Sequence, residues 1–581
     1  WLASGAFVAA ADLLWDHGRD AFSQQPGIKA QRNILRSTQC DESSSFGVSH
    51  SAAGEICVIG VLEWLVGAKW RLPCVFAVYF ALHALVRVWV SPALSFDESE
   101  QVFLSQWHWM GYNSQPPLYT WVQTALFGMF GINVFSLALL KNTLLFATYM
   151  AVFTAVKLTT KDLRLAALAT LGLLLIPQIA WESHRDLSHT VAVTFATTLL
   201  LLSIVRLPEL ASKQSWLAYV IIGVACGVGA MSKYNFVIVV VAFVAASVSI
   251  PTYRRKLLDR KIAISVVVAA IIMVPHGLWV IDHFSAASSK TIHTLTTNET
   301  QYWYQNVLRG MVALAGSTIS CCALLLTMVF LLFTRSLRSA NPAVEPTKRP
   351  EFESALLVER FLICVGAMLV LIVLSGHALE FKNRWLQPYV ALVPVYLVLK
   401  YGRMILGDRR SMNRFGLSAC ALMAVILLAV AARPISYRML GRQCRMNEPY
   451  PTISSDMVQQ LGEHPKVILV SDMQVAGNIK MQFPESLVLS ADYPMGTEAC
   501  AEEISVNAFW LAANVESEKT HRGLEAIAAK LLNSTVAVEK WLAADLGQPP
   551  NSAAALQPFR FISLTQSATR VAKAEQSQKR K

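Results

Sequence analysis

Long apolar stretches separated by polar loops fill most of the chain between residues 72 and 432. Eleven of these stretches are about as long as a helix must be to cross a bilayer. They cover residues 72–92, 134–156, 163–181, 188–205, 215–231, 235–250, 262–281, 310–333, 357–376, 385–402 and 415–432. This pattern predicts an all-α polytopic membrane protein with about eleven transmembrane helices.

Two further apolar stretches are too short to cross the bilayer comfortably. Residues 56–68 include Glu63, and we expect them to form an interfacial or cytosolic helix. Residues 118–130 contain glycine, follow a Pro-Pro turn, and are expected to lie on the membrane surface as a juxtamembrane helix.

The composition excludes several classes of protein. Hydrophobic residues make up 54% of the 581 residues, charged residues 15%, and the mean hydropathy is +0.44. These values exclude an ordinary cytosolic enzyme, a disordered chain and a disulfide-rich secreted scaffold.

Topology accounts for the formal net charge of +12. The loop between residues 92 and 133 contains no Lys or Arg, whereas the basic residues are concentrated in the loops at the other ends of the spans. Because cytoplasmic loops carry an excess of Lys and Arg, we expect loop 92–133 to be external and the N-terminus cytosolic. The basic excess therefore gives little reason to expect a nucleic acid partner.

The chain divides into four regions by composition. Residues 1–71 are expected to be a cytosolic, partly disordered segment, and residues 72–433 the transmembrane domain. Residues 434–572 form a predicted external α/β domain, with strands at 467–470 and 487–489 and a helix at 521–532. Residues 573–581 are a basic tail. A disulfide between Cys444 and Cys500 is an open alternative in that external domain.

Ionisable side chains gather in the two loops that follow the first and third spans. Asp97 lies at the start of a predicted helix, where the helix dipole favours a carboxylate. The second loop, 181–190, contains His184, Arg185, Asp186 and His189. Such groups at a helix mouth usually mark a functional site in a membrane protein. The structural alternatives are a helix cap at Asp97 and an ion pair between Arg185 and Asp186 that pins two helix ends.

Cations lie at the external ends of later spans. Lys233, Lys382 and Arg384 either bind a phosphate group or extend towards the interface as ordinary snorkelling side chains. Within the first span, His83 and Arg87 share one helix face. We expect Arg87 to snorkel outwards, the alternative being an ion pair inside the bundle.

These features in this order resemble the GT-C glycosyltransferases that use polyprenyl-phosphate sugars. The similar features are the Asp-Glu pair after the first span, the Pro-Pro-Leu-Tyr helix start, Arg185 with Asp186, Lys233-Tyr, and Arg384-Trp-Leu-Gln-Pro. The nearest branch is that of the bacterial aminoarabinose, galacturonate and protein mannosyl transferases, and the resemblance covers residues 72–400. It implies that Asp97 is the catalytic carboxylate and Asp186 the second acidic residue. The chain departs from the pattern at Gln115, where many relatives have a lysine before Pro-Pro.

The resemblance implies a single displacement at a sugar's anomeric carbon on the external face of the inner cell membrane. One carboxylate, Asp97, would take the acceptor's proton, with Glu98 a further catalytic candidate. Cations would neutralise the departing lipid phosphate, and the candidates are Arg185, Lys233, Lys382 and Arg384. No cofactor is required, although a divalent metal is an alternative, with candidate ligands Glu98, His184, Asp186 and His189.

Two other classes of function remain as alternatives. A secondary transporter or flippase of envelope precursors would use charged or polar residues within spans, such as Arg87, Lys141 and Asn142. A scaffold for envelope assembly would use the external domain for binding. For the glycosyltransferase, the partners are a polyprenyl-phosphate sugar and an acceptor, and the acceptor classes are lipid A, another glycan and a protein.

Overall fold

The computed structural model describes most of the chain from Gly60 onwards. The described residues are 60–112, 115–211, 215–288, 302–339, 350–440, 444–462, 464–500, 509–513, 517–532, 541–544 and 559–564. Most of the predicted segment 1–71 and the whole predicted tail 573–581 lie outside these ranges, as do residues 56–59 of the first short apolar stretch.

The membrane part consists of helices that overlap the predicted spans and of shorter helices between them. They are α1 (Val61–Val66), α2 (Arg71–Val90), α3 (Phe96–Leu104), α4 (Leu118–Phe130), α5 (Val134–Thr160), α6 (Leu163–Gly172), α7 (Ser183–Arg185), α8 (Ser188–Arg206), α9 (Ser215–Ala230), α10 (Phe236–Ser249), α11 (Pro251–Leu257), α12 (Ile262–Asp282), α13 (Trp303–Ser339), α14 (Pro350–Leu374), α15 (Asn383–Val390), α16 (Val393–Ile405) and α17 (Arg409–Met439). A π-helical turn, Gln178–Glu182, precedes α7.

Within the ranges given above, seven helices are long and apolar enough to cross a membrane by themselves: α2, α5, α8, α12, α13, α14 and α17. Two further predicted spans are bent pairs, with a bend of 73° between Leu163–Leu175 and Gln178–Arg185 and one of 119° between α10 and α11. Helix α9 is shorter, and the predicted span 385–402 is divided into α15 and α16. The predicted class of a mostly helical, polytopic membrane protein is confirmed, and the number of crossings stays a prediction.

Two short helices connect α2 with α5 at one end of the bundle. Helix α4 has the predicted bounds, and α3 begins at the residue before Asp97. The carboxylate of Glu98 accepts a hydrogen bond from the backbone N–H of Ser95 at 2.9 Å, which satisfies one donor of the helix start. The sequence Ser-Phe-Asp-Glu therefore fixes where α3 begins, and with it the position of Asp97.

The C-terminal part forms a small α/β layer. Its helices are α18 (Tyr450–Leu461), α19 (Met473–Gln482), α20 (Pro494–Ala499) and α21 (Glu518–Leu531), and its strands are β1 (Val467–Val470), β2 (Leu487–Ser490), β3 (Phe509–Ala513), β4 (Leu542–Ala543) and β5 (Arg560–Leu564). The sheet order is β2-β1-β3-β5-β4, with β1 parallel to both neighbours and β5 antiparallel to β3. Both predicted strands are present. Cys444 is a free thiol, so the considered disulfide with Cys500 is not formed.

The core of this layer includes residues from the loop between α2 and α4. Phe103, Leu104, Trp107 and Tyr112 are buried in the same cluster as the strands β1, β2 and β3. The layer therefore packs directly on α3 and the residues that follow it.

Candidate active site

Two carboxylates from loops far apart in the sequence meet at the end of the bundle where α2 ends and α8 begins. The backbone N–H of Asp97 donates to Oδ1 of Asp186 at 3.0 Å, and the hydroxyl of Ser95 donates to the same oxygen at 3.3 Å. In return, the backbone N–H of Ser188 donates to Oδ2 of Asp97 at 2.9 Å. These reciprocal hydrogen bonds hold the start of α3 against the start of α8.

The chain reaches this site through an irregular segment. After Pro177, the helix widens into a π-helical turn and then a single α turn, Ser183–Arg185. Leu187 adopts a left-handed conformation with φ of 68°, which is uncommon for a branched residue and turns the chain sharply before α8. This turn places Asp186 and the N–H of Ser188 on the same side, facing Asp97.

Asp97 lies close enough to Asp186 to affect the ionisation of Asp186. Burial, and next the negative charge of Asp97, raise the pKa of Asp186 from its ordinary value of 3.8 to about 7. Lys141 opposes this rise. Near neutral pH, Asp186 therefore exchanges between its protonated and ionised forms, which is characteristic of paired carboxylates at functional sites.

A lysine and an arginine supply positive charge beside the carboxylates. Nζ of Lys233 donates to Oγ1 of Thr190 at 2.8 Å. Burial, and next the nearby Arg384, lower the pKa of Lys233 to about 7, while Asp97 opposes this change. Lys233 and Arg384 thus lie near each other on the Asp97 side of the site.

The two other predicted phosphate ligands have different surroundings. The guanidinium of Arg185 lies 3.3 Å from the carboxylate of Glu182, one turn earlier, and both are partly exposed. Lys382 is exposed immediately before α15. Lys233, by contrast, interacts electrostatically with Asp97.

The prediction that Arg87 snorkels outwards is wrong. Its guanidinium forms two hydrogen bonds with the carboxylate of Glu98, at 3.0 and 2.7 Å, and donates two more to the backbone oxygens of Ser91 and Ala93. Lys141 lies 4.0 Å from the same carboxylate. A bidentate arginine–carboxylate pair with satisfied N–H groups is stable away from water, whereas an isolated guanidinium is not.

Glu98 therefore lies under the site rather than in it. Its side chain is only 4% exposed and lies against the side chains of Arg87 and Lys141. Burial alone would raise its pKa, but Arg87 and Lys141 outweigh that effect and hold the pKa at about 2. It is permanently ionised and supports the start of α3, so its geometry fits a positioning role better than the predicted catalytic one.

The predicted metal ligands do not converge on one point. The ring of His184 stacks on that of His83, with 3.6 Å between centroids. Nε2 of His189 lies 3.3 Å from the side-chain amide nitrogen of Gln101. Among the residues that the structure describes, no group of three or more His, Cys, Asp or Glu side chains could hold a metal ion.

Lys141 is the member of the site that sequence reasoning missed. It lies inside an apolar helix, is 4% exposed, and acts electrostatically on both Glu98 and Asp186. A buried lysine within a span is a sign of a functional site. The position of Lys141 within a span was visible in the sequence, but without knowledge of its partner Glu98 it was interpreted as a feature of a transporter.

An apolar cavity of about 870 Å³ opens among α8, α9, α10 and α12. At one end it is lined by Met231, Tyr234 and His276, beside Lys233, and at the other by Leu257 and Ile262. Along α12 it extends from Ile262 to Val280, which is about 27 Å at 1.5 Å per residue and close to the thickness of the hydrocarbon core.

Comparisons with known proteins place this arrangement in a family. The model of the dolichyl-phosphate-mannose-protein mannosyltransferase family matches residues 114–279. The lipopolysaccharide core galacturonosyltransferase RgtB of Rhizobium johnstonii is 34% identical over 419 residues, covering 72% of this chain and 82% of RgtB. The galacturonosyltransferase RgtA of the same organism is 31% identical over 430 residues, covering 73% of this chain and 83% of RgtA.

Solved structures share the fold. The crystal structure of ArnT from Cupriavidus metallidurans bound to undecaprenyl phosphate aligns with a TM-score of 0.52 and 14% identity, covering 86% of this chain and 99% of ArnT. The apo form of the same protein aligns with a TM-score of 0.53 and 13% identity, covering 87% of this chain and 99% of that one.

The chain belongs to the GT-C glycosyltransferases, a class of membrane enzymes. Within that class, its relatives RgtA and RgtB are lipopolysaccharide core galacturonosyltransferases. The resemblance inferred from the order of its motifs is confirmed.

Proposed function

We propose that this enzyme transfers galacturonic acid from a polyprenyl-phosphate donor to a sugar of lipopolysaccharide. The observation that carries the proposal is the position of the Asp97–Asp186 pair beside Lys233, at one end of an apolar cavity. The names of the relatives and similar structures support the donor class and the sugar, and the contacts of this chain support the proposed roles of individual residues.

Asp97 is the general base. The N–H of Ser188 fixes its Oδ2 at 2.9 Å, which leaves Oδ1 for the hydroxyl group of the acceptor. As this hydroxyl attacks the anomeric carbon, Asp97 takes its proton and the bond from that carbon to the donor phosphate breaks. Asp186 holds the backbone of Asp97 in position and, near neutral pH, limits the negative charge on the pair by retaining a proton for part of the time.

Lys233 and Arg384 bind the donor phosphate. The phosphodiester carries one negative charge before the reaction and becomes a phosphate monoester that carries more, so nearby cations stabilise the transition state more than the ground state. Lys233 has a pKa of about 7 without a ligand, and an anionic phosphate would favour its charged form. Arg384 is exposed near the start of α15, and the guanidinium of an arginine offers several N–H donors to a phosphate.

The polyprenyl chain occupies the apolar cavity. Tyr234 and His276, at the end nearest Lys233, would contact the first isoprene units, and the remaining walls are almost wholly apolar. The isoprenoid chain would enter the cavity from lipid rather than from water, so its stabilisation there would come from van der Waals contacts with the walls.

No metal ion has a part in this mechanism. The cations that neutralise the phosphate come from side chains, and we expect transfer to continue in the presence of a chelator.

We place the site on the external face of the inner membrane. The loops at the opposite ends of the spans carry most of the Lys and Arg residues, which are typical of cytoplasmic loops. Lipopolysaccharide and the polyprenyl donor would then meet at the end of the bundle where Asp97 lies.

A transporter has less support. The charged residues within spans that would favour it, Arg87 and Lys141, are engaged with Glu98 instead of lining a path across the membrane.

The proposal is tested with the purified protein in liposomes, supplied with undecaprenyl-phosphate galacturonic acid and lipopolysaccharide from a strain that lacks the gene. We expect a lipopolysaccharide product heavier by one galacturonic acid residue, measured by mass spectrometry. Movement of the donor lipid between leaflets without any such product would instead support a flippase.

A further inference from the structure

We infer that the α/β layer positions the catalytic base, and that Asn478 and Gly477 on α19 are the residues through which it acts. The inference rests on the proposed function, because it assigns Asp97 as the base. It gives the layer a role in the chemistry that is separate from any contact with the acceptor.

Asn478 connects the layer to both ends of the segment that carries Asp97. Its Oδ1 accepts the backbone N–H of Leu94 at 2.8 Å, just before α3 begins. Its Nδ2 donates to the hydroxyl of Ser99 at 3.0 Å, within α3, and to the backbone oxygen of Gln474 at 2.9 Å. Asn478 is completely buried, so water cannot replace these hydrogen bonds.

Gly477 allows α19 to lie against α3 at backbone distance. A Cβ atom at this position would lie 2.2 Å from the carbonyl oxygen of Ser99 and 2.4 Å from its Cα atom. Both of these are backbone atoms, so neither can move aside without moving the helix. Glycine is therefore required for the observed approach of the two helices.

Further contacts fix the segment after α3. The side-chain amide of Gln106 donates to the backbone oxygen of Val488 at 3.0 Å and accepts from its N–H at 2.8 Å, pairing with the edge strand β2 as another strand would. The hydroxyl of Tyr493 donates to the backbone oxygen of Tyr112 at 2.6 Å. The layer therefore holds this segment before, within and after α3.

The position of α3 decides whether the site is assembled. The two hydrogen bonds between α3 and the turn before α8 involve the backbone N–H of Asp97 and its side chain. A shift of α3 by about 1 Å would lengthen both of them, and a misplacement of that size can reduce a rate about 100-fold.

The test compares Asn478→Leu and Gly477→Ala with Lys480→Met in the full-length protein. Lys480 lies on the same helix and is also buried, but within the part of the chain that the structure describes its hydrogen bonds go to the backbone oxygens of Pro484 and Ser486, inside the layer. Its substitution therefore removes hydrogen bonds from the layer without touching α3.

We expect Asn478→Leu and Gly477→Ala to lower kcat by about 10- to 100-fold, with KM for undecaprenyl-phosphate galacturonic acid within about twofold of the wild-type value. The midpoint of the pH–rate profile should also move, because the charge of Asp97 and the hydrogen bond from its N–H both act on the pKa of Asp186, and both change with the distance between the two residues. A smaller folded fraction would lower the rate by the same factor at every pH and leave the midpoint of the profile unchanged. For Lys480→Met we expect no change larger than this.

Values of kcat and a profile midpoint equal to those of Lys480→Met would overturn the inference. If the two interface variants cannot be purified, Ser99→Ala removes one hydrogen bond to Asn478 and should give the same change with a smaller amplitude. A wild-type enzyme without transfer activity would refute the proposed function itself, and the inference would fall with it.

Discussion

Replacing Asp186 with asparagine should stabilise the protein at alkaline pH. Asparagine retains an oxygen that accepts the N–H of Asp97, now seen at 3.0 Å, and has almost the same shape. What it removes is a negative charge that burial and Asp97 disfavour. The ionised carboxylate of Asp186 therefore lowers the free energy of unfolding, as strained or charged groups at functional sites commonly do.

The size of this cost follows from the pKa of Asp186. Its rise from 3.8 to about 7 corresponds to roughly 4 kcal/mol, at 1.36 kcal/mol for each pKa unit. Below pH 3.8 the carboxyl is neutral in the folded and unfolded states, so it costs nothing there. As the pH rises towards 7, the unfolded state ionises first, and the free energy of unfolding falls until the folded state ionises too.

The assay is thermal unfolding of the wild type and of Asp186→Asn in detergent, between pH 4 and pH 8. The two melting temperatures should lie close together at pH 4, and the variant should be the more stable at pH 8, by up to about 4 kcal/mol if the whole cost is recovered. A difference in melting temperature that does not change with pH would refute the assigned environment of Asp186.

Three further predictions concern the cations and the metal. Arg87→Met should destabilise the protein by about 3–5 kcal/mol near neutral pH, because Glu98 would stay buried without its main partner. A thermal unfolding midpoint equal to that of the wild type would contradict this expectation. In the wild type, KM for the donor should rise above about pH 7, where free Lys233 loses its proton. In Lys233→Met this pH dependence should be absent, and KM at pH 6 should be higher than in the wild type by about 10-fold or more. A pH dependence of KM that survives in the variant would show that Lys233 does not bind the phosphate. Addition of EDTA should leave the transfer rate unchanged, and loss of activity that Mg²⁺ or Mn²⁺ restores would show that the mechanism needs a metal.

The sequence predicted the elements with strong local signals. The apolar stretches identified the spans, and the Pro-Pro turn with its apolar run identified α4 with its bounds. Strand β1 was predicted residue for residue, because four consecutive buried apolar residues follow a proline and a lysine. Strands β3 and β5 were missed. They are strands because they pair with each other across about 50 residues of sequence, and no local pattern shows that pairing.

The buried charges could not be assigned in the same way. The sequence around Arg87 is compatible with a snorkelling side chain. It does not show that the carboxylate of Glu98 lies 2.7 Å away, because no local pattern connects the two residues. Asp97 and Asp186 could be assigned to one site because both lie in loops at helix mouths and the resemblance to the GT-C enzymes implies both as acidic residues of the site. The contact of α19 with α3 had no signal at all, because a glycine and an asparagine in a helix are usual in many surroundings.

The most direct test of the account is the rate of sugar transfer by Asp97→Asn, measured beside Asp162→Asn. Asp162 caps α6 at the other end of the bundle, and asparagine caps a helix about as well as aspartate, so this variant controls for the loss of one carboxylate. Both proteins should melt at temperatures close to that of the wild type. We expect Asp162→Asn to retain its rate and Asp97→Asn to lose about 100- to 10,000-fold, as is typical when a general base is removed. Transfer by Asp97→Asn within about twofold of the wild-type rate would show that the base lies elsewhere.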